Sequence, residues 1–159
     1  MVRRIYVEKK PGLRQEARGL LHELQTVAGV SALEDLRLLN RYDAEQLDKD
    51  LFDYCTKTVF SEPQLDLVSA SADLSDASVV FAVEPLPGQF DQRADSALQC
   101  IQFLKEDEQP IIKTAVTYVL EGTVSDEDLE KIKAYCINPV DSRETGMKKP
   151  ETLVSEYKE

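Results

Sequence analysis

The densest group of polar side chains in the sequence lies around the predicted start of a helix. Six residues that can donate or accept hydrogen bonds follow a Pro-Gly turn: Gln89, Asp91, Gln92, Arg93, Asp95 and Ser96. Asp91 or Ser96 can cap the helix, but the helix start requires none of the other polar side chains. Arg93 can make paired hydrogen bonds to a carboxylate. We therefore predict that these six residues contact another domain, with an ordinary capped helix start as the alternative.

Two glutamates at predicted strand ends, Glu8 and Glu84, are the candidates for acid–base chemistry. They stand at matching places in two similar segments and could pair where two similar halves of the molecule meet. The alternative is that each is a solvated carboxylate at a strand end. The sequence contains no serine in a nucleophile elbow and no glycine-rich phosphate loop.

The three cysteines and the one histidine form no catalytic or metal-binding pattern. Cys55, Cys100 and Cys136 lie among apolar residues at helical spacing, which predicts that they fill the core. His22 lies off the apolar stripe of its predicted helix, with no ligand at a suitable spacing. We therefore predict no catalytic, cofactor-binding or metal-binding residue in this chain.

The composition indicates a folded domain with an acidic surface. Apolar residues make up 42% of the 159 residues, and the net charge is -11. An acidic surface repels phosphate backbones, which disfavours nucleic-acid binding. The sequence has neither an apolar run of about 20 residues, as a membrane span requires, nor a signal peptide. We expect a cytoplasmic protein that binds neither nucleic acid nor membrane.

An internal repeat predicts two similar halves. Val7-Glu8-Lys9-Lys10-Pro11-Gly12 is similar to Val83-Glu84-Pro85-Leu86-Pro87-Gly88, and a helical apolar stripe follows each segment, beginning at Leu13 and at Phe90. We predict a first repeat over residues 1–60, a connection over 61–76, a second repeat over 77–140 and a linker over 141–159.

Each half is predicted to have the order β-α-β-α. Strands are predicted at residues 3–8, 33–42, 79–83 and 111–120, with a further short strand at 57–60. Helices are predicted at residues 13–28, 44–55 and 90–106, and between Ser125 and Asn138. Asn40-Arg41-Tyr42-Asp43 is interpreted as a turn that ends with Asp43 as a helix cap. The expected fold class is α+β, with ferredoxin-like halves whose helices cover one face of mainly antiparallel sheets.

Several segments together resemble one protein family. The run from Pro87 to Ala97 resembles a motif in the N-terminal domain of large-type phosphoribosylformylglycinamidine (FGAM) synthase, and this match is highly specific. Four other segments resemble the same domain in the same order: Val7–Gly12, Leu38–Asp43, Ala134–Val140 with Ser142-Arg143-Glu144, and Lys149–Leu153. The resemblance covers essentially the whole chain.

The resemblance implies a place in purine biosynthesis. FGAM synthase is a ligase that converts formylglycinamide ribonucleotide, ATP and glutamine into FGAM, ADP, phosphate and glutamate. Its N-terminal domain resembles a dimer of the small PurS-type subunit fused in one chain, and bridges the synthase and glutaminase domains during ammonia transfer. By this likeness the chain is a fragment, those two domains are its partners, and ATP and magnesium act elsewhere in the full enzyme.

Two other functions stay open on the residues alone. The first is a free-standing module that binds a small molecule at the interface of the two repeats. The second is an independent enzyme that uses Glu8 and Glu84 as its acid and base.

Overall fold

The computed structural model describes residues 1–75 and 77–153, which form six strands and four helices. In chain order they are β1 (Val2–Lys9), α1 (Gln15–Thr26), β2 (Leu33–Glu45), α2 (Lys49–Thr58), β3 (Asp66–Ser69), β4 (Val79–Pro85), α3 (Gln92–Leu104), β5 (Ile111–Gly122), α4 (Asp126–Cys136) and β6 (Ser142–Thr145). Within these residues, every helix is too short or too polar to cross a membrane.

All six strands belong to one antiparallel sheet in the order β3-β1-β2-β5-β4-β6. The two longest strands, β2 and β5, pair at its centre from Leu33 opposite Gly122 to Glu45 opposite Ile111. Three adjacent strands come from each half of the chain, so the β2–β5 pair joins the halves into one sheet. The predicted α+β class and the antiparallel pairing are confirmed.

The helices pack on one face of the sheet in two pairs, each over its own hydrophobic cluster. Helices α2 and α3 cover a cluster that includes Ile5, Tyr42, Phe52, Cys55 and Ile101. Helices α1 and α4 cover a second cluster at the opposite end of β2 and β5, which includes Leu24, Leu36, Phe81, Leu120 and Ile132. Each cluster takes residues from both halves of the chain. The two halves therefore share their core.

Two extended segments cover the opposite face of the sheet. The β3–β4 connection packs apolar side chains, among them Leu74 and Ala77, against Tyr6, Leu39 and Val119. Residues 146–153, which we call the C-terminal strap, cross the other end of this face. Arg41 donates a hydrogen bond to the carbonyl oxygen of Gly146 in the strap (2.9 Å).

The end of the strap is anchored on Glu45, the last residue of β2. The backbone N–H of Leu153 and the hydroxyl of Thr152 donate hydrogen bonds to one carboxylate oxygen of Glu45, at 2.6 and 3.0 Å. Leu153 itself is buried. The predicted linker over 141–159 thus contributes β6 and the strap, while its residues 154–159 lie outside the described part of the chain.

The structure corrects the predicted end of the second strand. β2 continues to Glu45, so Asn40-Arg41-Tyr42-Asp43 lies inside a central strand and Asp43 is not a helix cap. Pairing with β1 on one side and β5 on the other overrides the local turn signal. The cap of α2 is Asp48, which accepts a hydrogen bond from the backbone N–H of Leu51 (2.8 Å).

The predicted position of a short strand at residues 57–60 was also wrong. Residues 57 and 58 end α2, and the strand of this region is β3, which pairs with β1 inside the predicted connection over 61–76. Asp76, in the same connection, is outside the described residues. A four-residue edge strand has too weak a local pattern to be located before its partner is known.

We predict that the docking of the strap depends on the ionised form of Glu45. The two donors lower the pKa of Glu45 below its ordinary value of 4.5. The two hydrogen bonds to ionised Glu45 therefore stabilise the docked strap fully above pH 4.5. This stabilisation is lost as the pH falls through the lowered pKa. Hydrogen exchange at Leu153 should therefore accelerate on acidification before exchange in β5 does. Glu45→Gln should weaken protection at neutral pH and remove this early acid step; unchanged protection in the variant would contradict the prediction.

Candidate functional site

The start of α3 forms one wall of an open groove on the helix-covered face of the sheet. This α3 groove has a volume of about 610 Å³ and lies between α3 and the residues that end and follow α4. Five of the six predicted contact residues line it: Gln89, Asp91, Gln92, Arg93 and Ser96. Asp95 does not line it and instead accepts a hydrogen bond from Gln99 (2.8 Å). The structure therefore brings most of the predicted cluster together.

Asp91 holds the start of α3 in place. Its Oδ1 accepts a hydrogen bond from the backbone N–H of Ala94 (3.0 Å), which is the predicted helix cap. Thr114 of β5 donates its backbone N–H to Oδ2 (3.0 Å) and its hydroxyl to Oδ1 (2.8 Å). One carboxylate thus joins α3 to the central sheet. The sequence gives no signal for Thr114, because it pairs with Asp91 only through the fold.

Arg93 is the cationic group of the site. It is exposed and lies where the α3 groove meets a second groove of about 240 Å³ at the start of α1. Among residues 1–75 and 77–153, its guanidinium has no hydrogen-bond or ion-pair partner. The side chains of Gln92 and Ser96 are exposed beside it. These donors and acceptors are available to a partner.

An aromatic side chain adds an apolar contact to the same groove. Phe90 precedes α3, lines the groove and is 70% exposed. Phe90 was predicted to begin the apolar stripe of a helix over 90–106, but α3 begins two residues later, at Gln92. An exposed aromatic ring beside an arginine, with polar groups around them, has the composition of a protein-interface hot spot.

The second groove differs in chemistry although it lies at the corresponding place in the first half. Its lining includes Leu13, Arg14, Gln15 and Glu16 at the start of α1. Arg14 donates a hydrogen bond to the carbonyl oxygen of Lys9 (2.8 Å) and pairs with Glu8 (3.3 Å). The arginine of this half is therefore used within the fold, unlike Arg93.

Glu8 and Glu84 do not form an acid–base pair. Glu8 is buried and accepts two hydrogen bonds from Arg37, each 2.7 Å long, while Glu84 accepts one from Arg143 (2.7 Å). Their strands, β1 and β4, are separated by β2 and β5. Three strand spacings amount to about 14 Å. Each glutamate is thus a structural ion-pair partner, and Glu8 is not the solvated carboxylate of the alternative prediction.

The cysteines occupy three different environments. Cys55 is buried in the core, as predicted, whereas Cys136 is half-buried and Cys100 is exposed. Burial raises the pKa of Cys55 and that of Cys136 to about 11, so both thiols are protonated at neutral pH. His22 is exposed. In the described part of the chain, no group of three or more His, Cys, Asp or Glu side chains could hold a metal ion.

Sequence comparison does not assign this site to a family: a scan against protein-family models and a search of curated proteins found no match. The site combines a positioned helix start, an arginine without a partner among the described residues and an exposed aromatic ring.

We predict that Asp91 and Arg93 differ sharply in their effect on stability. Asp91→Ala removes the cap and leaves the polar groups of Thr114 without their acceptor, which should lower the free energy of unfolding by about 1–3 kcal/mol. Arg93→Ala should change it by less than about 1 kcal/mol, as most surface substitutions do. Urea unfolding of both variants, with Arg18→Ala as the control at another exposed arginine near a helix start, measures the difference. Equal losses for Asp91 and Arg93 would contradict the assigned roles.

Proposed function

We propose that the chain is the N-terminal scaffold and interaction domain of an FGAM synthase, and that it bridges the synthase and glutaminase domains of that enzyme. The observation that carries this proposal is the run from Pro87 to Ala97, whose resemblance to the family motif coincides in space with the α3 groove. A motif that forms a docking surface is what a bridging domain requires. ATP and magnesium bind elsewhere in the full, cytoplasmic enzyme.

We also propose that the domain arose by duplication of a PurS-type unit, and the arrangement of the strands supports this origin. The order β1-α1-β2-α2-β3 recurs as β4-α3-β5-α4-β6. The order of strands across the sheet is also the same when counted outward from the β2–β5 pair. The turns before α1 and α3 each contain a glycine with positive φ, at +90° for Gly12 and +88° for Gly88.

The difference between the two helix starts supports a specific docking role for the second half. In the first half Arg14 is held by Lys9 and Glu8, while in the second half Arg93 has no partner among the described residues. A guanidinium can bind a carboxylate of a neighbouring domain through two parallel hydrogen bonds. Phe90 would then enter an apolar pocket of the same neighbour.

Arg93→Ala in the full-length enzyme tests the bridging role. We expect glutamine-dependent turnover to fall about fivefold or more, as the loss of about 1 kcal/mol or more at an interface would cause, while turnover with free ammonia changes less. The reason is that ammonia from solution does not need the coupling between domains. Arg18→Ala is the control, since it removes the same charge outside the groove. Equal loss of both activities would indicate misfolding, and no loss of either would show that Arg93 binds no partner.

We also predict that the 159-residue chain alone has no ligase, ATPase or glutaminase activity. The protonated state of Cys55 and Cys136 at neutral pH supports this expectation for glutaminase chemistry, which requires a thiolate. The measurements are phosphate release from ATP and glutamate formation from glutamine. Activity above the buffer control, in a preparation shown to be free of host enzymes, would refute the prediction.

A second candidate function is supported by the opposite face of the sheet. A pocket there is lined by residues of β1 and β2 from the first half and of β4, β5 and β6 from the second. The pocket thus lies at the interface of the two repeats, where a module that binds a small molecule would hold its ligand. The charged side chains that line the pocket narrow the ligand class.

A further inference from the structure

A pocket lies between the C-terminal strap and the face of the sheet opposite the helices. Arg41 and Asp43 of β2 form its floor with residues of neighbouring strands, and Gly146, Lys148 and Pro150 of the strap form a wall. Its volume of about 220 Å³ would hold about seven water molecules at about 30 Å³ each. The pocket is therefore large enough for an anion of the size of phosphate.

Positive charge dominates the pocket, although the whole chain carries a net charge of -11. Two carboxylates line it, and each already has an arginine. Asp43 accepts hydrogen bonds from Arg4 at 2.6 and 2.8 Å, and Glu84 accepts one from Arg143 at 2.7 Å. The lining also contains the cationic side chains of Arg41, Lys113 and Lys148. Five cationic side chains thus stand against two carboxylates, and the net charge of the lining is positive.

Arg41 is the most informative of these residues, because it is buried. Its exposed fraction is 5%, and its hydrogen bond goes to the neutral carbonyl oxygen of Gly146. Among the described residues it forms no ion pair. Burial and the neighbouring Arg4 lower the pKa of Arg41, yet a guanidinium stays charged at neutral pH. The carboxylates of Asp43 and Glu84 act on this pKa in the opposite direction, but neither forms an ion pair with Arg41. A buried charge without an ion-pair partner is costly, so a bound anion would stabilise this arrangement.

We propose that this pocket binds a phosphate-type oxyanion, held by Arg41 from the sheet and by Lys148 from the strap. Arg41 supplies a fork of N–H donors that matches oxyanion geometry, and Lys148 supplies a charge that is exposed at the rim and forms no ion pair with the described residues. The site goes beyond the scaffold role and deepens the second candidate function by naming its ligand class. It does not depend on the ligase assignment.

Titration of the protein with inorganic phosphate, followed by phosphorus NMR at fixed ionic strength with chloride as the balancing anion, tests the site. We expect saturable binding at one site. Arg41→Gln should weaken it roughly tenfold or more, since a buried charge-assisted contact is lost. Lys148→Gln should weaken it about threefold, the size of an exposed ion-pair contribution. Glycerol phosphate in a parallel titration shows whether the pocket accepts organic phosphates or only the free ion.

Lys149→Gln is the matched control, because Lys149 is the exposed neighbour of Lys148 and does not line the pocket. It removes the same charge and should leave phosphate binding unchanged. Absence of saturable binding to the unaltered protein, or equal weakening by the two lysine variants, would overturn the proposal. The lysine pair keeps the test decisive if Arg41→Gln fails to fold. Phosphate binding is measured without any enzyme assay. A negative result here would therefore leave the proposed bridging role untouched, and the loss of that role would leave this proposal untouched.

Discussion

The pairing of β2 with β5 is the interaction on which the rest of the structure depends. It joins the two halves into one sheet, and both hydrophobic clusters rest on it, one at each end. Without it, each half would present a long central strand as an open edge, ready to pair with another chain. The fit at one end is close, since a Cβ added at Gly122 would lie 2.4 Å from the carbonyl oxygen of Ala32. The pair can therefore tolerate little change at that point.

The alternation of side chains along β2 gives the two faces of the sheet different chemistry. Even-numbered residues such as Leu36 and Tyr42 face the helices, while Arg37, Arg41 and Asp43 face the opposite side. One strand thus contributes apolar side chains to the core under the helices, and Arg41 and Asp43 to the cationic pocket on the other face. Charged residues are accepted in a central strand here because Arg37 and Asp43 have ion-pair partners and the strap covers Arg41.

The parts of the fold that could be predicted are those specified by local pattern. Asp91, one of the two predicted caps of α3, is confirmed, and α4 begins directly after Ser125, where its start was predicted. The parts that could not be predicted depend on residues distant in sequence. Asp91 meets Thr114, and Glu45 meets Leu153, only after the sheet has formed. Charged residues recur at odd-numbered positions of β2 in the sequence. They were not recognised as one face of a strand because residues 40–43 were interpreted as a turn.

The distance along the chain between the central partners has a consequence for synthesis. Leu33 pairs with Gly122, so β2 leaves the ribosome well before its partner strand exists. At about 5–20 residues per second, the interval lasts several seconds. During that time β1 can pair with β2 on one side, but the other side stays open and the apolar faces of α1 and α2 lack much of their cover. The nascent first half thus exposes apolar surface and an open strand edge, and the domain can reach its folded form only after the second half has been synthesised.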